Sequence, residues 1–437
     1  MPRPNILYLH SHDTGRCVQP YGHAVSTPAI QRLAEEGVLF RQAYCAGPTC
    51  SPSRAALLTG QWPHVTGMIG LAHRGFVLAD PSRLLPYTLR RAGYHTAIVG
   101  IQHVVAEERL DLLGYEHLER PGGVARVDAV APKAVAFLKS APRQPFFLDC
   151  GFFDTHRPYP EHGPLDDPRC CLPPPPLPDT PETRADMASF YTSARELDRG
   201  MGMVLDALAA GELARNTLVI CTTDHGIAMP FMKCHLTDHG LGVMLIMRGP
   251  GGLSGGQVCE ALVSQVDLFP TLCDLLGIAP PPWLQGASIM PLIRHEKTEI
   301  REELFGEVTY HAAYEPQRAV RTRRWNYIRR FDPRPLPVMV NTDAGPAKRM
   351  LLNHDWRNRP VDAEQLYDLV YDPNEACNRA GDPRAAVALA DMRGRLDRYM
   401  RDTADPLLQG PVPPPKGSRI DDVDALDVGD QPTRLIV

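Results

Sequence analysis

A cysteine, a proline and an arginine occur at close spacing in the run Cys50-Ser51-Pro52-Ser53-Arg54. The apolar stretch that follows, residues 55–58, is typical of a helix. We therefore expect Cys50 near the start of that helix, where free backbone N–H groups favour an anion. The run predicts a reactive cysteine beside an anion-binding site, and a buried structural cysteine next to a proline turn is the alternative.

Two acidic residues follow predicted strands. Asp13 comes just after an apolar strand at residues 6–9, and Asp224 comes just after another at residues 217–222. Catalytic groups in open α/β sheets lie at the C-terminal ends of the strands. Both carboxylates are therefore placed where an active site would form, although either one alone could instead cap a helix.

The elements that must position these residues alternate along the chain. Helix patterns cover residues 27–36, 84–92, 133–139 and 185–210, and strand patterns cover residues 6–9, 38–40, 95–100, 146–150 and 217–222. This alternation predicts an α/β fold with a large, mostly parallel sheet between helices.

The composition changes near residue 312. Beyond it, short strands and one helix near residues 385–401 predict a small antiparallel sheet with a helix, followed by an extended tail from Pro411. We therefore divide the chain into a catalytic α/β domain, residues 1–312, and a small C-terminal α+β subdomain, residues 313–437.

Composition excludes some classes of protein. The chain has 437 residues, of which 43% are hydrophobic and 22% charged, and its net charge is −5. These values are ordinary for a globular protein and favour neither a nucleic acid nor a membrane as a partner. The first strand begins so early that we expect no signal peptide, and hence a cytoplasmic protein whose eleven cysteines are reduced.

Together the cysteine motif and the two acidic sites resemble the type I sulfatases of the alkaline phosphatase superfamily. The resemblance extends from about residue 4 to residue 405, and residues 50–70 and 224–230 are similar to the sulfamidase branch. It implies an alkaline-phosphatase-like fold and hydrolysis of a sulfate ester or sulfamate. In this family the cysteine is oxidised to formylglycine, the catalytic nucleophile, so Cys50 would be the substrate of a formylglycine-generating enzyme.

The resemblance also implies a metal site. Asp13, Asp224 and the modified Cys50 would share one divalent cation, with His225 following Asp224. The family usually has two adjacent aspartates after the first strand, whereas this chain has His12 before Asp13. Ca²⁺ prefers about six to eight oxygen ligands, while imidazole suits softer ions. We therefore expect Ca²⁺, with Mn²⁺ as the alternative.

Four further residues match positions at which the family has catalytic groups. Arg54 would pair with the nucleophile or the anion, and His103 would take a proton from the nucleophile. His156 and Lys233 would assist the leaving group and stabilise the transferred group. Ile101 stands where the family has a lysine, so we expect low activity on simple aryl sulfates, which a lysine would raise if the packing tolerates it.

Other functions stay open at this point. A phosphonate monoester or phosphodiester hydrolase of the same superfamily is favoured by the Asp-His pair at residues 224–225 and by Ile101. A degenerate binding protein is suggested by the missing aspartate and lysine, and a metal-dependent mutase or phosphatase is disfavoured by the cysteine motif. We expect a small-molecule or saccharide sulfate as the substrate, and we leave open whether the chain forms a homo-oligomer.

Overall fold

The structure is a computed structural model that describes residues 3–211 and 213–437. The helices are α1 Pro28–Glu36, α2 Cys50–Thr59, α3 Pro63–Thr66, α4 Leu85–Arg91, α5 Val127–Lys139, α6 Pro181–Ala210, α7 Asp238–Leu241, α8 Leu268–Leu276, α9 Met290–Ile293, α10 Pro346–Asn353 and α11 Ala386–Asp402. The strands are β1 Asn5–Ser11, β2 Val38–Phe40, β3 Ala43–Tyr44, β4 His95–Gly100, β5 His117–Glu119, β6 Phe146–Gly151, β7 Thr217–Thr223, β8 Leu245–Arg248, β9 Gln257–Cys259, β10 Val263–Ser264, β11 Glu303–Tyr310, β12 Tyr314–Thr322, β13 Trp325–Arg330, β14 Glu364–Asp368, β15 Arg419–Ile420 and β16 Arg434–Leu435.

The large sheet has eight strands in the order β5-β4-β6-β1-β7-β8-β2-β9. Strand β8 is antiparallel to both of its neighbours, and the other pairs are parallel. The prediction of a large, mostly parallel sheet is therefore confirmed. Because β1 lies between β6 and β7, the loops that follow these three strands meet at one edge of the sheet.

The side chains of β1 show why helices cover both faces of this sheet. Successive side chains of a strand point to opposite faces. Ile6 and Tyr8 pack into one core with side chains of α4 and α8, whereas Leu7 and Leu9 pack into another with side chains of α1, α5 and α6. An apolar strand buried on both faces is typical of a parallel sheet.

A second, four-stranded antiparallel sheet lies in the C-terminal part, with the order β11-β12-β13-β14. Helix α11 packs on it through Leu389, Met392 and Leu396, which share a core with Val320 and Tyr327 of the sheet. This confirms the predicted small antiparallel sheet with a helix. Its first strand, β11, begins at Glu303, before the change in composition near residue 312.

Across the described ranges, every helix is too short or too polar to cross a membrane.

Candidate active site

The two predicted carboxylates meet at the C-terminal ends of adjacent strands. Strands β1 and β7 pair in parallel up to Ser11 and Thr223, so the loops that follow them start side by side. The backbone N–H of Asp13 donates a hydrogen bond to Oδ1 of Asp224 across 2.8 Å. Asp13 has a φ of 48°, a left-handed conformation that aspartate tolerates better than most residues. The turn after β1 thus brings its carboxylate beside Asp224.

Cys50 is the first residue of α2, as the sequence predicts, and it is buried. Its Sγ lies 3.5 Å from Nε2 of His225. The possible ligand atoms of Cys50, Asp13, Asp224 and His225 all lie within 4.8 Å of one another. A second group with the same spacing consists of Cys50, Asp13, His12 and His156. Cys50 and Asp13 therefore belong to both groups.

Arg54 lies one helical turn after Cys50 and contacts the same cluster. Its Nη2 donates to the carbonyl oxygen of Ser11 at 2.8 Å and to Oδ2 of Asp224 at 3.1 Å. The guanidinium group is buried, so this charge-assisted contact lies away from the screening effect of water. Because Cys50 and Arg54 lie one turn apart on α2, the contact of Arg54 with Asp224 places the predicted nucleophile, Cys50, close to a predicted metal ligand.

Lys233 approaches the cluster from the loop after β7. Its ammonium group lies 3.0 Å from Oδ2 of Asp13 and 3.1 Å from Oδ2 of Asp343. On the same side, Nε2 of His156 lies 3.8 Å from Oδ2 of Asp13. Lys233 is buried, whereas His156 is partly exposed. Both side chains therefore lie beside the same carboxylate oxygen of Asp13.

His103 completes the set of predicted residues. Its ring centroid lies 4.7 Å from that of His12, and the two rings meet edge to face. Burial lowers the pKa of His103 to about 4, so its ring is neutral near neutral pH. The structure thus brings together all nine residues that the sequence analysis assigned to the site: His12, Asp13, Cys50, Arg54, His103, His156, Asp224, His225 and Lys233.

The charges of the cluster shift the pKa values of its members in opposite directions. Burial alone would raise the pKa values of both carboxyl groups, but Lys233 beside Asp13 and His225 beside Asp224 hold them below their ordinary range. Burial would lower the pKa of His12, yet Asp224 raises it to about 10. Burial would raise the pKa of the Cys50 thiol, yet Lys233 and the neighbouring histidines bring it well below its ordinary value. The site is thus a dense set of opposite charges.

The donor atoms at the site fit a divalent cation. Within the described residues, neither ring nitrogen of His12 nor Oδ1 of Asp13 has a hydrogen-bond partner, although all three atoms are buried. Nδ1 of His12 lies 3.0 Å from Oδ2 of Asp224 but lacks the alignment of a hydrogen bond. Buried polar atoms normally have a partner. Carboxylate and imidazole atoms left in this state are suited to bind a metal ion.

Two residues near the site were missed by sequence reasoning. Asp343 contacts Lys233 from a loop without a readable pattern, at residues 330–362. Both ring nitrogens of His311 are buried and have no hydrogen-bond partner in the described part of the chain, and Lys233 and Cys50 are among the charges that act on this ring. No signal in the sequence marks either residue, because each reaches the site through the fold of the C-terminal part.

Two family models and several known proteins match this chain. A family model described as Sulfatase matches residues 4–278, and one described as N-sulphoglucosamine sulphohydrolase, C-terminal, matches residues 225–355. The chain is 31% identical to N-sulphoglucosamine sulphohydrolase of Homo sapiens, an alignment that covers 93% of this chain and 92% of that protein. It is 28% identical to delta 4,5-hexuronate-2-O-sulfatase of Bacteroides thetaiotaomicron, over 92% of this chain and 90% of the relative.

Solved structures show the same fold. A putative sulfatase from Bacteroides thetaiotaomicron is 24% identical, with a TM-score of 0.72 over 93% of this chain and 94% of that one. A structure in complex with its substrate D-glucosamine-2-N,6-O-disulfate is 19% identical, with a TM-score of 0.73 over 94% of this chain and 99% of that one. Given the family match and the human relative, this chain belongs to the sulfatase family, whose members hydrolyse sulfate esters or sulfamates.

Proposed function

We propose that this sulfatase removes a sulfuryl group from a nitrogen or oxygen atom of a saccharide, with formylglycine made from Cys50 as its nucleophile. The observation that carries the proposal is the position of Cys50. Its Sγ lies at the start of α2 and within 4.8 Å of the ligand atoms of Asp13, Asp224 and His225. One relative is named as a sulphohydrolase of N-sulphoglucosamine, and one similar structure holds a disulfated glucosamine, which supports a sulfated amino sugar as the substrate.

The modification changes what residue 50 can do. The aldehyde of formylglycine supplies, once hydrated, an oxygen nucleophile for sulfur. The free N–H groups at the start of α2 favour an anion in the same place. The chain therefore offers both a reactive group and a binding site for a sulfuryl oxygen at one helix end.

Asp13, Asp224 and His225 would hold a divalent cation, with His12 beside them. A bound cation would supply positive charge next to the anionic oxygens of the substrate. We propose Ca²⁺ because two carboxylates are present, and Mn²⁺ is the alternative because imidazole suits a softer ion. Elemental analysis of the purified protein distinguishes the two ions.

Two cationic side chains would stabilise the charge of the transferred group. Arg54 holds Oδ2 of Asp224 at 3.1 Å and fixes the direction of that carboxylate. Lys233 lies between Asp13 and Asp343 and can turn one of its three N–H groups toward a sulfuryl oxygen. Fixed donors in a buried site act on a developing charge without having to reorganise.

Two histidines would move protons. Nδ1 of His156 lies 2.5 Å from the carbonyl oxygen of Arg157, which can only accept, so this nitrogen carries a hydrogen. Nε2 of His156 is then the atom that can give a proton to the leaving group. His103 has a pKa lowered to about 4 by burial, so its neutral ring can accept a proton from the nucleophile.

The test joins a mass measurement to an assay. The peptide that contains Cys50 should show the mass change from thiol to aldehyde when the chain is produced together with a formylglycine-generating enzyme. The same preparation should hydrolyse an N-sulfated glucosamine or a sulfate ester of glucosamine, whereas Cys50→Ala should be folded and inactive. Full activity in a preparation whose Cys50 is entirely unmodified would refute the proposal.

The alternatives are tested by the same preparation. An aryl phosphonate assayed beside an aryl sulfate would reveal a phosphonate hydrolase if the phosphonate were the faster substrate. A degenerate binding protein would bind the sulfated sugar without releasing sulfate. The presence of Cys50, Arg54, Asp13, Asp224 and His156 in one cluster argues against that second alternative.

A further inference from the structure

A row of buried polar side chains leads from Tyr115 through the large sheet to Arg54. The hydroxyl of Tyr115 donates to Oδ2 of Asp149. Oδ1 of Asp149 lies 2.7 Å from Nε2 of His10, and Nδ1 of His10 lies 2.7 Å from Nη1 of Arg54. His10 and Asp149 are each only 2% exposed. None of the roles assigned above to Cys50 and the residues around it uses Tyr115, Asp149 or His10.

The chemistry of the end groups sets the direction of every hydrogen bond in this row. A guanidinium group can only donate, so Nδ1 of His10 must accept from Arg54. His10 then carries its hydrogen on Nε2 and donates it to Asp149. The carboxylate of Asp149 accepts from His10 on one oxygen and from Tyr115 on the other. One tautomer of His10 is therefore required, and Asp149 is the group that holds it.

Asp149 is a carboxylate buried inside a strand, a position that is unfavourable for the stability of the protein. Asp149 lies inside β6, and β6 pairs with β1 in the middle of the large sheet. Removing a carboxylate from water is costly, and a protein with an apolar residue in such a place is often at least as stable. Asp149 is separated from the buried cation Arg54 by a single imidazole ring. This arrangement is the one by which outer residues orient groups at an active site.

Ile101 makes this support more important. A cavity of about 20 Å³ is lined by Ile101, His10, Arg54, Tyr115 and Asp149. Ile101 thus brings an apolar side chain to the place where the family resemblance predicts a lysine. Arg54 is the cationic side chain that lines this cavity, so its guanidinium group supplies the positive charge on this side of Cys50.

The hydrogen bonds of Arg54 show which of its N–H groups have no partner in the protein. Both hydrogens of Nη2 are used, one by Ser11 and one by Asp224, and Nη1 gives one hydrogen to His10. Nε is buried and has no hydrogen-bond partner among residues 3–211 and 213–437. The N–H of Nε and one hydrogen of Nη1 therefore remain for the nucleophile or the transferred group.

We propose that His10, Asp149 and Tyr115 are positioning residues that fix the guanidinium group of Arg54 for sulfuryl transfer without touching the substrate. The inference rests on the proposed function, because it gives Arg54 a place beside the nucleophile at residue 50. It predicts that these residues act on kcat much more than on KM, since a misplaced Arg54 weakens contacts to the transition state.

The first experiment replaces His10 in the full chain with its formylglycine in place. Leucine cannot accept a hydrogen bond, so His10→Leu should lower kcat about 10- to 100-fold with little change in KM. In His10→Gln the side-chain oxygen can accept from Arg54 while the amide donates to Asp149, so this variant should keep more activity than His10→Leu by about tenfold. Equal activity of His10→Leu and the wild type would overturn the proposal, as would equal losses in the two variants.

The second experiment tests the direction of the bonds. In Asp149→Asn, Tyr115 competes with His10 for the single carbonyl oxygen, and the amide group then favours the wrong tautomer of His10. We expect kcat to fall at least about tenfold. Adding Tyr115→Phe frees that oxygen for His10, so the double variant should be more active than Asp149→Asn alone. A purely structural role predicts the opposite order, and that result would contradict the proposal.

Two controls separate the possible failures. Asp198 is also a buried carboxylate, but it accepts backbone N–H groups of Ala29 and Ile30 at the start of α1. Asp198→Asn should therefore lower the melting temperature without lowering kcat. If Cys50→Ala kept its activity, the proposed function itself would fail. If Cys50→Ala were inactive while His10→Leu kept the wild-type kcat, only the positioning role would be overturned.

Discussion

The ammonium group of Lys233 lies 3.0 Å from Oδ2 of Asp13 and joins the loop after β7 to the turn after β1. Burial alone would raise the pKa of Asp13, but Lys233 close to it holds that pKa below its ordinary range. The same carboxylate is a proposed metal ligand, so a divalent cation and Lys233 would share one negative charge. Because the two cations would compete for this charge, replacing Lys233 should affect metal binding differently from replacing a metal ligand.

Replacement of Lys233 should therefore lower turnover and leave the metal in place. We expect Lys233→Gln to lower kcat about 100-fold, because a fixed cation near the transferred group is lost. Metal affinity should stay the same or rise, since a neighbouring positive charge is removed. Lys233→Arg, which retains the charge, is the matched control and should keep more activity. Loss of bound metal in Lys233→Gln would contradict this expectation.

Replacement of Asp224 should remove the metal and the activity together. In Asp224→Asn one anionic ligand is lost while the cationic Arg54 stays nearby, so we expect the metal affinity to fall at least about 100-fold. Elemental analysis after dialysis measures the bound ion. Asp166→Asn is a suitable control, because Asp166 is equally buried but pairs with Arg195 far along α6. Stoichiometric metal in Asp224→Asn would remove Asp224 from the ligand set.

His156 should matter most for substrates with poor leaving groups. A leaving group that is stable as an anion needs no proton, whereas an alkoxide or amide ion does. We expect His156→Gln to lower kcat/KM by about 100-fold or more on a sugar sulfate or sulfamate, but by far less on a nitrophenyl sulfate. A series of aryl sulfates with graded leaving groups measures this difference. A uniform loss across the series would assign His156 another role.

A buried ion pair outside the site should make stability depend on pH. Nδ1 of His64 lies 2.6 Å from Oε1 of Glu307, and Nε2 lies 3.2 Å from the carbonyl oxygen of Thr403, so both nitrogens carry hydrogens. Burial alone would lower the pKa of His64, but the negative charge of Glu307 raises it above its ordinary value. Burial would raise the pKa of Glu307, but His64 lowers it to about 2.

Because the pKa of His64 is raised in the folded protein, the stability that protonated His64 contributes is complete below its unfolded-state pKa, about 6.5. This stability is lost as the pH rises through the folded-state pKa of His64. The lowered pKa of Glu307 means that its contribution is lost as the pH falls from about 4.5 toward 2. We expect His64→Gln to destabilise the protein by about 3 kcal/mol near pH 6, and by less as the pH rises. Melting temperatures of the wild type and His64→Gln, measured from about pH 6 upward, test this expectation. A difference in melting temperature that stays constant with pH would refute it.

Ile101→Lys should not raise activity, although the family has a lysine at this position. The cavity beside Ile101 has a volume of about 20 Å³ and is bordered by Arg54. A lysine chain is too long for this space, and its ammonium group would lie near another cation. We expect a lower melting temperature and no gain in kcat on an aryl sulfate at matched formylglycine content. A clear gain would show that the pocket tolerates a second cation beside Arg54.

The sequence by itself determined the features that depend on local spacing. Cys50 and Arg54 lie one turn apart on one helix, so their proximity follows from helix geometry alone. The alternation of apolar strands and amphipathic helices determined the α/β class, and both predicted acids do follow strands of the large sheet. The family resemblance added the remaining candidates, all of which lie around Cys50, Asp13 and His12.

The tertiary structure decided how distant residues meet. Asp13 and Asp224 are 211 positions apart, and the family resemblance alone placed them at one metal, because no local pattern encodes the strand order that makes β1 and β7 neighbours. His10 and Asp149 are 139 positions apart and pair for the same reason across β1 and β6. Asp343 reaches Lys233 from an irregular loop. Strand order and loop paths result from packing of the whole chain, so these contacts appear only in the folded protein.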